Sequence, residues 1–430
     1  MANFETKKLT SGLIGEIEIP ADKSISHRSL IIGSLTKGKM KIENFSSAED
    51  CASTLKILVE LGAKIEQTGN TLYADFTSCY SAPKNILDCG NSGTTMRLMS
   101  GILSAQNFTS TLCGDESLTK RPMKRVTVPL SEMGAHIETT EGHAPLKITG
   151  GKLNPIKYES KLASAQVKSC LMLASIAQNL PLEYIEPTLS RDHTERMLEY
   201  FGGKIETEKL EDKVLIKISE MELSARDLYI AGDISSATFF MVMALIVPNS
   251  EIIIKNVGLN ETRSGVIDVL FDMGANIEIL DKKLISGEEV ANIKVKYTEN
   301  LRATTISGNI IPRLIDEIPT LALLMTQAEG VSVIKDAGDL RNKESDRLKT
   351  VHDELTKLGA KIEEKEDGLI IQGKTPLQGS VTLNTYCDHR LAMTWFIAGL
   401  VSESPINIEG FEWHKTSFPE FLDKFNSLLK

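Results

Sequence analysis

At 430 residues the chain is too long for one compact core, and two large domains are the natural expectation. Apolar residues make up 41% and charged residues 25%, an ordinary globular balance, while a net charge of −10 excludes a general nucleic-acid binder, which needs a basic face. The six cysteines form no C-x-x-C pair, the first residues lack a secretory apolar stretch, and the longest apolar run, Phe239 to Val247, is too short for a bilayer; free thiols, no metal, no membrane association and a cytoplasmic location are expected.

In chain order, one set of elements returns about every 70 residues. After a first strand that precedes residue 20, a small or acidic residue opens an almost wholly apolar helix, SISHRSLIIGSL, near Ser24. That element recurs as GTTMRLMSGIL near Gly93, SAQVKSCLMLASIA near Ser164, SSATFFMVMALIV near Ser235, DEIPTLALLMTQA near Asp316 and DHRLAMTWFIAGL near Asp388. The spacings are 69, 71, 71, 81 and 72 residues. Apolar on nearly every side, these helices should be buried. Between them lie amphipathic helices that run into a second phrase: LGAKIE at Leu61, MGAHIE at Met133, FGGKIE at Phe201, MGANIE at Met273 and LGAKIE at Leu358. Glycine there ends a helix in the left-handed conformation, and the alternating segments that follow (NTLYADF, KVLIKIS, GLIIQG) read as strands or hairpins. The sixth copy stops after its second helix, SFPEFLDKFNSLLK.

The predicted architecture is therefore α/β, with six β-α-β-α-β-β repeats and three per domain. Crossings are expected at IPADKS near residue 20 and IAGDISS near residue 232. Residues 1–19 and 232–430 then form one domain and residues 20–231 the other, with the first strand pairing in the second half of the chain.

Chemistry-bearing residues gather at helix starts. Lys23, Ser24 and Arg28 flank the first apolar helix, and Gly93 and Arg97 open the second. Ser164, Ala165 and Gln166 open the third, Asp316 and Glu317 the fifth, Asp388 and Arg390 the sixth. Arg121, Arg191, Lys343, Glu344 and Arg347 stand at starts of the amphipathic helices. Helix N-termini favour anions, and Arg offers paired donors to phosphate and carboxylate. If the helix starts of both domains converge on a cleft, so many cations in an acidic chain predict a small polyanionic ligand. The plainer reading is that Ser24, Ser164 and Asp316 are N-caps. The alternative is weakened because cations in a first turn oppose the helix dipole and need another reason. His27, His193 and His389, each beside a candidate ligand, read as hydrogen-bonding supports.

At these residues the sequence resembles the 5-enolpyruvylshikimate-3-phosphate (EPSP) synthase family over essentially its whole length. The resemblance rests on PADKSISHR (20–28), LDCGNSGTTMRL (87–98), GDESLTKRPM (114–123), SAQVKS (164–169), SRDHTE (190–195), IDEIP (315–319), RNKESDRL (341–348) and CDHRLAM (387–393). It implies a two-domain inside-out α/β barrel, no cofactor, and transfer of the enolpyruvyl group of phosphoenolpyruvate to shikimate 3-phosphate. Carried over by motif, Lys23, Ser24, Arg28, Ser164, Ala165, Gln166, Arg191, Asp316 and Lys343 would bind shikimate 3-phosphate. Lys23, Gly93, Arg121, Gln166, Arg347 and Arg390 would bind phosphoenolpyruvate. Asp316, Glu344 and Lys23 would carry the proton transfers. A monomer is expected, since the cleft lies within one chain. Gly93 stands where glyphosate tolerance is associated with Ala, and Thr416, not Lys415, stands where many relatives have lysine.

Two rivals are weaker. UDP-N-acetylglucosamine enolpyruvyl transferases carry a loop Cys five residues before an Arg-Pro pair; here that position is Glu116, and Cys113 lies eight before Arg121. A non-catalytic, anion-binding repeat scaffold would not vary its unusual residues from repeat to repeat.

Overall fold

The computed structural model describes residues 3–429. The chain forms two compact lobes: an inserted lobe, Ala21–Ile230 with Leu284–Glu288, and a parent lobe, Met1–Pro20, Ala231–Lys283 and Glu289–Lys430. The boundaries differ slightly from expectation. Pro20 and Ala231 belong to the parent lobe, where the Asp233 N–H donates to the Pro20 carbonyl (2.9 Å) and Gly232 N–H to Asn256 (2.8 Å). The hairpin tip Leu284–Glu288 groups with the inserted lobe because Ser286 Oγ accepts from Tyr229 N–H (3.0 Å) and Glu288 meets His193 (2.7 Å). Nothing local in a regular hairpin sequence marks such an exchange.

Each lobe is built inside-out. In the inserted lobe the apolar helices Lys23–Leu35, Gly93–Ser104 and Ala165–Ala177 pack on one another; in the parent lobe Ile234–Ile246, Ile318–Gln327 and His389–Val401 do the same. Ile234–Ile246 is buried at all its positions, as its sequence requires. Trp395 is buried in the last of these helices, its indole N–H donating to the Asn384 carbonyl (3.0 Å).

Three sheets flank each helical centre: three of four strands in the inserted lobe, two of four and one of three in the parent lobe. The second repeat shows the pattern. Leu87–Asp88 lies parallel to Thr109–Cys113, which pairs antiparallel with His143–Thr149, and that strand with His136–Thr140. The first-half strand Ile14–Glu18 pairs parallel with Glu251–Gly258, so it does join the second half of the chain. Reciprocally, Leu228–Tyr229 joins Lys39–Glu43. Asn3–Thr6 pairs antiparallel with Ile406–Glu409, which also pairs parallel with Thr382–Asn384.

The recurring glycines do what the phrase demands. Gly62, Gly134, Gly202, Gly274 and Gly359 all have φ between +74° and +104°, each just after the C-cap residue of an amphipathic helix. A Cβ is strained there, which is why the motif returns with glycine fixed while its neighbours vary. Among the described residues no helix is long and apolar enough to cross a membrane.

Candidate active site

The helix starts differ from expectation in an informative way. None of Ser24, Ser164 and Asp316 makes a side-chain capping bond. Asp22 caps Lys23–Leu35 by accepting from Ile25 N–H (2.8 Å), and Ser164 sits at an N-cap position without making a capping bond. Asp316 lies in a 3-10 turn, Ile315–Glu317, ahead of the helix that begins at Ile318. Capping elsewhere falls to Ser92, Asp233, Asp346 and Asp388. The three side chains are thus released from the role that would have explained them away.

The cations also sit differently. Arg121 lies in the loop between Glu116–Thr119 and Lys124–Glu132, Arg191 precedes the helix at His193, and Lys343 and Glu344 precede the helix at Arg347. Holding Arg121, Arg191 and Lys343 in loops avoids opposing the dipole inside a first turn.

In the inserted lobe two groups of cations form. In one, the Arg97 guanidinium donates to Gln166 Oε1 (2.7 Å), Gln166 Nε2 donates to Thr94 Oγ1 (3.1 Å), and Arg121 donates to Asn91 Oδ1 (2.9 Å). Gly93 lies against both guanidiniums: a Cβ there would stand 3.0 Å from Arg97 Nη1 and 3.4 Å from Arg121 Nη1. In the other group, buried Arg28 donates to Thr194 Oγ1 (2.7 Å), Ser169 Oγ (2.9 Å) and the Ser24 carbonyl (3.1 Å). Burial pushes Arg28 down to about 10 against the opposing pull of Glu195, and Arg191 is among the charges it feels. Even there it is charged near neutrality. Lys23 Nζ pairs with Asp50 (2.8 Å), and Ala165 opens the helix behind half-buried Ser164 and Gln166.

The parent lobe holds a second set of charges, gathered around one arginine. Arg347 is 1% exposed at the centre of them: its Nε and Nη2 reach Asp388 at 2.7 and 3.2 Å, Nη2 reaches Glu344 at 2.7 Å, and Nη1 reaches Asp316 at 3.4 Å. Lys343 approaches Asp316 at 3.5 Å. Burial works against both charges, but Asp388 holds Arg347 above its ordinary range and Arg347 holds Asp388 below the usual carboxylate range. Arg390 donates to Ser235 and lies 3.7 Å from buried Glu317, which also pairs with Arg263 at 2.8 Å. Asp316 and Glu344 therefore face cations on a buried support, each itself half-buried.

The sequence reading missed Arg263, Ser169, Thr194 and Lys168. Lys168 had a visible signal, a lone charge on a helix apolar all round, which demands a buried partner. His352, Asp353 and Glu364 lie close enough together to share an ion, but Asp353 pairs with Lys349 (2.9 Å) and Glu364 with Arg341 (2.7 Å).

His27 and His193 make supporting hydrogen bonds. His27 Nδ1 bonds Thr54 Oγ1 (2.7 Å), which bonds Thr95 Oγ1 (2.7 Å), which donates to the Ser92 cap (2.7 Å). Burial, with Lys23 and Arg28 adding to it and Asp50 opposing, pushes His27 down to about 3. The unfolded chain then binds the extra proton between pH 6.5 and about 3, so stability falls with pH through that window, with a slope from this group approaching about 1.4 kcal/mol per pH unit. The urea midpoint should consequently drop less between pH 7 and pH 5 in His27→Gln than in the unsubstituted chain; equal drops would contradict this account. His193 has the opposite sign. Glu288 raises it in spite of burial, so its contribution is complete below pH 6.5 and is lost as pH rises through its folded value.

Two lobes of three inside-out repeats, each with guanidinium groups and carboxylates gathered near its helix starts, have the fold of the enolpyruvyl transferase class. The fold is shared with the enolpyruvyl transferase NikO from Streptomyces tendae, at a TM-score of 0.80 and 16% identity over 99% of this chain and 96% of that one. Within that class the chain belongs to the EPSP synthase (3-phosphoshikimate 1-carboxyvinyltransferase) family, whose model matches residues 8–425. It is 47% identical to a 3-phosphoshikimate 1-carboxyvinyltransferase of Bacillus licheniformis, over 98% of both chains. It is also similar to the solved EPSP synthase of Acinetobacter baumannii, with a TM-score of 0.88 and 38% identity over 99% of this chain and 98% of that one.

Proposed function

We propose that the chain transfers the enolpyruvyl group of phosphoenolpyruvate to the 5-hydroxyl of shikimate 3-phosphate, releasing phosphate, in the pathway to chorismate and the aromatic amino acids. The observation that carries this reading is the pair of half-buried carboxylates, Asp316 and Glu344, both held on the one buried Arg347. The reaction needs a base for the attacking hydroxyl and an acid for carbon, and these carboxylates lie beside a cation suited to an anionic substrate.

The steps follow from those roles. Asp316 accepts the proton of the 5-hydroxyl as its oxygen bonds to C2 of phosphoenolpyruvate, while Glu344 with Lys23 delivers a proton to C3, giving a tetrahedral ketal. The same acid–base group then removes a methyl proton, the C2–O bond to phosphate breaks and the double bond forms. Lys23, Ser24, Arg28, Ser164, Ala165, Gln166, Arg191 and Lys343 hold shikimate 3-phosphate. Gly93, Arg121, Gln166, Arg347 and Arg390, with Lys23, hold phosphoenolpyruvate. The protein acts as a cytoplasmic monomer in this reading.

The nucleotide-sugar alternative is disfavoured by the loop chemistry. Glu116 is exposed and tied to Lys120 (2.6 Å), and the Cys113 thiol is pushed up by burial and by Asp88, the reverse of an activated nucleophile. The test is phosphate release from phosphoenolpyruvate with either co-substrate. Release only with shikimate 3-phosphate supports the proposal, and release only with UDP-N-acetylglucosamine overturns it.

Gly93 also sets a prediction for glyphosate. The methyl of Gly93→Ala would crowd the ends of Arg97 and Arg121, and a ligand bulkier than phosphoenolpyruvate at that place suffers more. Inhibition should weaken by about tenfold or more, with a smaller change in KM for phosphoenolpyruvate. Equal losses would refute the steric account.

A further inference from the structure

Lys168 is fully buried in the helix Ala165–Ala177, among apolar neighbours. Its ammonium reaches Glu195 at 2.7 Å and Glu186 at 3.0 Å, and donates to the Ser190 carbonyl at 3.1 Å. Glu186 Oε1 in turn accepts from Ser190 N–H (2.9 Å) and Oγ (3.1 Å), so both ends of Ser190 are fastened to one ion pair. Ser190 is the residue before Arg191. On the adjoining side, Ser169 Oγ and Thr194 Oγ1 bond each other at 2.7 Å and receive two donors of Arg28. Ser169 follows Lys168 on its helix, and Thr194 precedes Glu195. The ion cluster thus backs both cations assigned to the anion pocket.

Such a cluster is a poor investment for stability alone. Desolvating the ions costs several kcal/mol each, and well-packed apolar side chains in their place are often neutral or stabilising. Burial works against the charge on Lys168, and Glu195 and Glu186 outweigh it, so the ammonium stays protonated. What apolar side chains could not supply is a hydrogen bond to the Ser190 carbonyl and an acceptor for its N–H.

We propose that Lys168 is a positioning residue for the anion pocket, fixing the Ser190–Arg191 turn directly and the Arg28 guanidinium through Ser169 and Thr194. This rests on the reading that Arg28 and Arg191 hold shikimate 3-phosphate. A misplacement of either cation then weakens that substrate and leaves phosphoenolpyruvate, held by other groups, little affected.

Lys168→Met alone leaves the buried carboxylates Glu186 and Glu195 without their shared ammonium and risks failure to fold. The variant K168M/E186Q removes one charge of each sign and leaves Glu195 opposite Arg28. With folding checked by circular dichroism, shikimate 3-phosphate binding is measured by calorimetry, alongside KM for both substrates and with Arg191→Ala as reference. The expected result is a rise of about 10- to 100-fold in Kd and KM for shikimate 3-phosphate in both variants, with KM for phosphoenolpyruvate within about twofold. If Arg191→Ala weakens the substrate but folded K168M/E186Q does not, the positioning role is wrong and the site reading stands. Equal weakening of both substrates in K168M/E186Q means general loosening and also overturns it. If Arg191→Ala changes nothing, the site reading fails and the proposal falls with it.

Discussion

Asp316→Asn is expected to lower kcat by about 10²- to 10⁴-fold, the usual worth of a positioned general base. The substitution keeps the shape of the side chain and an oxygen that can still accept from Arg347 and Lys343, at present 3.4 and 3.5 Å from Asp316 Oδ1. What it removes is the capacity to take the hydroxyl proton. Substrate KM should therefore move only several-fold, and the far-UV spectrum should not change. The position favours this outcome over a capping role, since Asp316 sits in a 3-10 turn and makes no cap. Steady-state kinetics at saturating substrate decides the matter; a kcat within twofold of the unsubstituted chain would remove Asp316 from the chemistry.

Asp388→Ala should have the largest effect on stability. Asp388 is fully buried, makes two contacts to buried Arg347, accepts from Ser345 Oγ (3.1 Å) and caps His389–Val401 through Arg390 N–H (2.9 Å). Its removal strands a buried guanidinium with only half-exposed partners, a loss of about 3–5 kcal/mol, and deletes a cap worth about 1 kcal/mol. Asp388→Asn keeps the cap acceptor and part of the pairing, so it should lose less. Urea unfolding of the two variants, followed by circular dichroism, tests the order. An unchanged midpoint in Asp388→Ala would mean that Glu344 and Asp316 suffice to hold Arg347.

Much of the architecture could be read from the residues because it is repetitive. The glycine of the LGAKIE phrase needs a left-handed φ at each of its five places, and the wholly apolar helices have nowhere to go but the centre of a lobe. The partner of Ile14–Glu18 was legible too, because a first strand ahead of the crossing has to join the second half. Side-chain roles at helix starts were less so. A serine or aspartate there can cap or bind a ligand, and the choice depends on a neighbour: Asp22 takes the cap that Ser24 leaves free. The loop placement of Arg121, Arg191 and Lys343 follows from electrostatics that a start-of-helix pattern does not resolve. Lys168 was visible as an anomaly, but its partners Glu186 and Glu195 come from a strand and a different helix. The grouping of Leu284–Glu288 with the inserted lobe is not legible, since the Ser286-Gly287 turn marks a hairpin tip but not what that tip packs on.

The central claim, addition followed by elimination through a ketal that carries a methyl group, is tested most directly in deuterated water. Shikimate 3-phosphate, phosphoenolpyruvate and the protein are mixed without added metal, and the products are followed by phosphorus and proton NMR. The account predicts inorganic phosphate together with a new enol ether whose methylene carries solvent deuterium. That label enters when C3 is protonated and stays when one of the three methyl hydrogens leaves. An enol ether free of deuterium, or phosphate release without the ether, would contradict it.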